Sequence, residues 1–234
     1  MNYLPNNGKK LIVIIDGVEW ARYPVKTHFI GVDDELEKIL ENYVLPFAQG
    51  SDLVVLGQKI ISILQKRVIL KKNVKVGFWA KFLSRFVKKT SAGFSVGNPL
   101  KMQLAINLAG LPRILLASFL AIFFKIFRIY GIFYRVAGNQ ISQIDGFYGE
   151  AFSQYAEMGI LGPRNCDQLC QELKKRYNLS FVVADVNDLG GNILGNSSNL
   201  SSDYLLKILK DNPACQEREQ TPIIICRQLV SKIG

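Results

Sequence analysis

Apolar residues in this chain fall into short runs separated by turn residues. Leu11-Ile-Val-Ile-Ile15 reads as a short buried strand stopped by Asp16-Gly17. Val32 to Tyr43 has the period of an amphipathic helix. Leu36, Ile39, Leu40 and Tyr43 lie on one face, and Asp33 or Asp34 is placed to cap its start. Gly50-Ser-Asp52 turns the chain into a second buried strand, Leu53-Val-Val-Leu56. A helix is predicted next over Gln58 to Gln65, with Ile60, Ile61 and Leu64 inside and Lys59 and Ser62 near its start. Val68-Ile-Leu70 is a third strand candidate.

The middle of the chain is more ambiguous. In Lys71 to Thr90, Phe78, Trp79, Phe82 and Phe86 recur at helix-like spacing. The favoured expectation is a helix that packs this stripe into a core. The alternative is stacking against a ligand or single-stranded nucleic acid. The small-residue loop Ser91 to Pro99 precedes a helical pattern at Met102, Ile106, Leu108 and Leu111. Such a loop can hold an anion on backbone N–H groups or serve as an ordinary helix cap, and both readings stay open. Ile114 to Phe124 is almost wholly apolar and reads as a core helix running into a basic, aromatic strand. Gly131 to Gln140 reads as strand and turn. The apolar run is about half of the ~20 residues a spanning helix needs, so membrane contact ranks second.

The last third alternates again. Asp167 to Tyr177 is a helix with Leu169, Leu173 and Tyr177 inside. Leu179-Ser-Phe-Val-Val-Ala184 is the clearest strand of the chain. Tyr204, Leu205, Ile208 and Leu209 mark another helix, and Pro222 to Cys226 a final strand. The alternation favours an α+β or α/β class, with α+β taken as the expectation: one unit of 1–234, or two lobes of about 1–90 and 91–234.

Charge changes this picture. From Leu53 to Ile144 there is no Asp or Glu but fifteen Lys and Arg, while the other 142 residues sum to −5. The whole chain carries +10, which points to an anionic partner more than to any fold. The four cysteines, Cys166, Cys170, Cys215 and Cys226, lack the paired spacing of a structural zinc site and are expected to be reduced, half-buried thiols. Met1 to Lys10 is polar and the run after it short, so the expectation is a cytoplasmic protein without a leader peptide.

Chemistry centres on Asp185-Val-Asn-Asp188-Leu-Gly190-Gly191, which follows the clearest strand. Two acids, an amide and two glycines suit Mg²⁺ or Mn²⁺ and a phosphate near the backbone. They equally suit a turn whose Asp and Asn bond their own backbone. Asp145, beside Gly146, is a further candidate ligand. Metal binding is thus assigned to Asp145, Asp185 and Asp188. Phosphate or nucleotide contact is assigned to Lys59, Ser62, Arg113, Gly190 and Gly191.

Several stretches together resemble a known family. They are Tyr23-Pro-Val-Lys-Thr-His28, Gly31-Val-Asp-Asp-Glu-Leu36, Gly50-Ser-Asp-Leu-Val-Val55, Gln58-Lys59-Ile-Ile-Ser62 and Lys66-Arg67-Val68. Together they resemble the opening of the coenzyme F-420 gamma-glutamyl ligase family. Gly162-Pro-Arg-Asn-Cys-Asp167 and the strand reaching Asp185 extend the likeness, which covers roughly the first 70 residues and the Asp185 region. The resemblance implies a two-lobed α+β fold, usually a homodimer, and a ligase that uses GTP and Mg²⁺ or Mn²⁺. Such a ligase activates a small-molecule carboxylic acid as an acyl phosphate and joins it to L-glutamate. Asp33, Asp34 and Asn187 are then the candidates for substrate contact. The rival expectations are a non-catalytic binder of an anionic cofactor or nucleotide and a peripheral membrane protein. Nucleic acid is the least favoured partner.

Overall fold

The computed structural model describes residues 4–87, 96–147, 153–187, 190–215 and 219–229. The chain is mixed α+β and divides into two compact units. The first combines Met1–Lys66 with Pro163–Gly234, and the second is Arg67–Gly162. The division expected near residue 90 therefore falls elsewhere. The second unit is an insertion within the first, and residue 90 lies inside it.

The first unit is built on six strands. They are β1 (Ile12–Ile15), β2 (Val18–Val25), β3 (Leu53–Gly57), β7 (Ser180–Asn187), β8 (Gly190–Asn196) and β9 (Ile223–Gln228). Their order is β1-β2-β9-β3-β7-β8. β3 and β7 run parallel, and every other neighbouring pair is antiparallel. The helices of this unit are α1 (Leu36–Tyr43), α2 (Gln58–Leu64), α9 (Cys166–Tyr177) and α10 (Ser202–Leu209).

Strand periodicity explains the layering. Val54, Leu56, Phe181, Val183, Ile223 and Ile225 pack with Ile39 and Leu40 of α1, Ile60 and Ile61 of α2, and Cys170 and Leu173 of α9. The alternate residues Leu53, Val55, Val182, Ala184, Ile224 and Cys226 pack with Leu205, Ile208 and Leu209 of α10. Successive strand residues point to opposite faces, so central strands covered on both sides must be apolar throughout. That is why these three strands are continuous runs in the sequence.

β1 differs from its expectation. Ile12 and Ile14 are 46% and 66% exposed, because β1 is an edge strand covered on one face only. α1 starts at Leu36, later than expected. Asp34 does not cap it, since its Oδ2 accepts from the Gly31 N–H at 2.7 Å.

Two ion pairs, each with one fully buried member, tie this sheet to its surroundings. The Arg22 side chain on β2 is fully buried. It donates to both oxygens of Asp211, to the carbonyl of Ile208 at 2.9 Å and to the carbonyl of Lys10. Asp52, also fully buried, accepts a two-pronged bond from Arg227 at 2.8 and 2.7 Å. It accepts a further bond from the Gln49 N–H at 2.7 Å.

The second unit contains a small sheet in the order β4-β6-β5, with β4 at Val68–Leu70, β5 at Asp145–Gly146 and β6 at Met158–Ile160. Its helices are α3 (Phe78–Ser84), α4 (Pro99–Ala109), α5 (Leu111–Ile126), α6 (Ile132–Ala137), α7 (Asn139–Ser142) and α8 (Ser153–Ala156). Asn98 caps α4 by accepting from the Leu100 N–H at 2.8 Å, and α4 and α5 meet at Gly110 with a bend of 116°. The core comprises Ala80 and Leu83 of α3, Met102, Leu104 and Ala105 of α4, Ile114 and Ala117 of α5, and Ala137, Ile141, Ile144 and Phe147.

Three expectations fail in this unit. Gly131 to Gln140 forms helices rather than strand and turn. α6 lies between Gly131 and Gly138, at φ +81° and +109°, and brings Phe133 and Tyr134 against the core. Packing overrides the strand preference of its aromatics. The aromatic stripe of α3 does not enter a core. Phe78, Trp79, Phe82 and Phe86 are 40–71% exposed, while Ala80 and Leu83 face inward. The segment read as a core helix, α5, buries only Ile114 and Ala117.

Two outcomes follow for the first unit. Removing one partner of a buried pair strands the other charge, so Asp52→Ala should lower unfolding free energy by about 3–5 kcal/mol in urea titration. Asp211 responds to pH. Burial tends to raise its pKa, but the hydrogen bond and charge of Arg22 outweigh that and hold it below the ordinary carboxylate value. Its contribution is present above about pH 4 and is lost as pH falls through the depressed folded value. Asp211→Asn should therefore flatten the acid side of the stability profile and leave no added slope above neutrality.

Candidate functional site

The parallel pair β3–β7 creates one polar edge in the first unit. Its register places Gly57 opposite Ala184, so the first residue of α2 follows at the level of Asp185. Gly57 donates its N–H to the carbonyl of Pro222 at 3.0 Å, which fixes the point where strand becomes helix. Asp185 and Asn187 continue the alternation of Phe181 and Val183. They therefore belong to the sheet face that α2 covers, and α2 packs against β7. Carboxyl ends of adjacent parallel strands, with a helix leaving one of them, are where open α/β sheets hold ligands.

The predicted residues fare differently at this edge. Asp185 is half-buried and lies within β7, which runs on to Asn187 before β8 begins at Gly190. The strand does not end at the acid, as the sequence reading supposed; it continues into a hairpin. Asp188 lies outside the described residues, as do Ser91 to Ser95 of the predicted anion loop. Lys59 is half-buried near the head of α2. Ser62 is wholly buried, and its hydroxyl has no hydrogen-bond partner among the described residues. It has no surface to offer a phosphate.

Gly191 has a structural explanation. A Cβ there would come within 2.8 Å of the Asp185 carbonyl oxygen and 2.9 Å of Val186 Cγ2, so close pairing of β7 and β8 demands glycine. Gly190 is exposed with open space around it.

The remaining candidates belong elsewhere. Asp34 is held by the Gly31 N–H, and its Oδ1 lies 3.1 Å from His28 Nε2. His28 Nδ1 is 2.9 Å from the Tyr43 hydroxyl. The Gly31 hydrogen bond, aided by His28, lowers the Asp34 pKa. This network fastens the segment before α1 to that helix. Asp33 is exposed.

Arg113 and Asp145 are in the second unit. Arg113 Nε donates to the Val136 carbonyl of α6 at 2.8 Å, an internal tie. Asp145 sits opposite Ile160 in the β5–β6 pair. Among the described residues no group of three His, Cys, Asp or Glu is placed to hold a metal.

Two residues escaped the sequence reading. Gln58, 8% exposed, occupies the α2 position level with Asp185. Lys101, 2% exposed, lies in the first turn of α4. Neither stands out locally: a polar residue after an apolar strand and a lysine in a helix are common surface features.

Cys166, Cys170 and Cys226 are buried. Burial pushes their thiols up to about 11, about 12 and about 12 respectively, so they are poor nucleophiles at neutral pH. Cys215 is half-buried. Alkylation of the native protein at neutral pH, followed by peptide mass mapping, should mark Cys215 first and reach the other three only on unfolding.

The chain matches no protein-family model and no curated protein sequence.

Proposed function

We propose that the first unit binds a phosphorylated anion with a divalent cation at the carboxyl ends of β3 and β7, and that it is a nucleotide-dependent carboxylate–amine ligase. The observation that carries the binding part is the parallel register, which sets Asp185 level with the head of α2, where Gln58 and Lys59 lie. The ligase part rests on the resemblance of the same segments to the gamma-glutamyl ligases.

The donor chemistry fits a hard cation. Mg²⁺ and Mn²⁺ take oxygen ligands and often bind through one or two carboxylates, completing their shell with water and phosphate. Asp185 would supply the carboxylate and Asn187 a neutral oxygen. The cation would offset the charge of a triphosphate. Lys59 would add a positive charge from the helix side, and its half-burial raises the value of that charge over a fully solvated one. Gly190, exposed on the facing hairpin, leaves backbone accessible to a phosphate oxygen. GTP, L-glutamate and a small carboxylic acid are the reactants of this reading, and a homodimer is its assembly. Arg113 and Asp145 have no part in it.

A second reading is a binder without turnover, which needs only Asp185 and Lys59 at this edge and no amine acceptor.

Calorimetry on the full chain separates these outcomes. GTP with Mn²⁺ should give saturable heat, and Lys59→Ala should weaken binding by about tenfold, as expected for one charged hydrogen bond. Asp185→Asn should remove the dependence on Mn²⁺. Phosphate release on adding L-glutamate and a carboxylic acid marks the ligase, and binding without release marks the binder. A folded protein that gives no heat with GTP or ATP refutes both.

A further inference from the structure

The second unit distributes charge and apolar surface unlike the first. It holds thirteen Lys and Arg against three acids, a formal +10, while the first unit holds sixteen of each. The net charge of the protein therefore resides entirely in the inserted unit. The same unit turns large apolar side chains outward. On α5, Leu116, Phe119, Phe123 and Ile126 recur at intervals of three, four and three residues and are 53%, 65%, 47% and 75% exposed. That spacing makes one continuous stripe along the helix. The buried residues of α5, Ile114 and Ala117, lie near its start. Beyond its end, Phe127 and Tyr130 remain 61% and 74% exposed. Lys125 and Arg128, both exposed, sit among them. α3 repeats the composition independently. Its exposed rings, Phe78 and Phe82, are stacked at 5.9 Å, with exposed Lys81 and Arg85 interleaved.

We propose that this unit docks on an anionic phospholipid bilayer, with the outward stripe of α5 immersed at the headgroup–acyl boundary and its lysines and arginines on the lipid phosphates. A spanning role does not fit. Among the described residues no single helix is long and apolar enough to cross a membrane, and α5, at sixteen residues, extends only about 24 Å. Its bent neighbour α4 is committed to the core through Met102, Leu104 and Ala105. A helix with an apolar face and basic flanks lies in the interface. Aromatic rings favour that depth, and cations near them gain from the negative surface potential. A second copy of the chain suits this face less well, since dimerisation through it would bring two units of +10 together. Nucleic acid accounts for rings and cations but not for the aliphatic Leu116, Ile122 and Ile126, which have no base to stack on.

Flotation of the full chain tests this directly. The protein should float with vesicles of phosphatidylcholine plus phosphatidylglycerol, float poorly with phosphatidylcholine alone, and bind less as salt rises. Phe119→Ser with Phe123→Ser should weaken vesicle binding at least about tenfold, since both rings lose their buried area in the bilayer. Circular dichroism and melting temperature should be unchanged, because both positions are exposed. Lys125→Gln with Arg128→Gln should cost roughly tenfold on anionic vesicles and nothing on neutral ones. Failure to float with anionic vesicles overturns the proposal. So does a dimer that the double serine variant dissociates while vesicles bind neither protein, which would give the face to a second copy. Binding to a single-stranded oligonucleotide in place of vesicles would give it to nucleic acid.

Discussion

Burial of β3, β7 and β9 on both faces is the constraint on which the first unit depends. Val54, Leu56, Phe181 and Val183 cannot be solvated on one side while their neighbours Val55 and Val182 are solvated on the other. Helices must cover both layers, and the strands must remain apolar at every position. Arg22 and Asp52 are the two charges this arrangement admits into full burial, each with a partner brought from far along the chain. Shifting a strand by one residue would exchange its two faces and break those pairings, so register is tightly specified. The placement of Asp185 beside the head of α2 is a consequence of that register, not of any local sequence signal.

The second unit follows a different logic. Its core intersperses alanines, Ala80, Ala105, Ala117 and Ala137, among larger residues such as Met102, Leu104, Ile114 and Phe147. Small residues let helices approach closely while leaving larger side chains outside. Exposed apolar residues scattered singly are ordinary in folded proteins, but a stripe at helical spacing is not. On α5 the stripe lies on the face opposite to that expected of a core helix, and the unit lacks the acids that would make its surface mixed. The first unit has balanced charge and covers both faces of its central strands, leaving Ile12 and Ile14 exposed at its edge, whereas the second carries +10 and a long exposed apolar stripe.

Much of the first unit was legible in the sequence. Leu53-Val-Val-Leu56, Phe181-Val-Val-Ala184 and Ile223-Ile-Ile-Cys226 are short apolar runs bounded by turn residues, and each is a central strand. β2 was hidden because Arg22 and Pro24 interrupt it, and the Asp211 that makes Arg22 tolerable is 189 residues away. β8 was hidden by its glycines, two of which answer to tertiary contacts: Gly191 lies close against β7 and Gly195 against Cys166 at the start of α9. On α5 and α3 the helical period was legible but the covered face was not. Periodicity shows that a stripe exists; what packs on it is a tertiary fact. The same limit applies to the candidate site. Asp185 was visible as an acid near a strand, whereas Gln58 joins it only through a parallel pairing between segments more than a hundred residues apart.

The insertion is tied at its base, which bears on how the two chemistries coexist in one chain. The stretch entering the second unit, β4, pairs antiparallel with β6, the stretch leaving it. Beyond that pair, the Leu161 N–H donates to the Arg67 carbonyl at 2.9 Å, and Arg67 Nε bonds the Gly162 carbonyl. Both ends of the insertion are thus held together by its own hydrogen bonds, and closing the long loop places no demand on the β3–β7 register. The inserted surface can carry exposed aromatics and a strong positive charge while the doubly covered sheet keeps its neutral balance. A partner that satisfies the first surface need not be the ligand of the second.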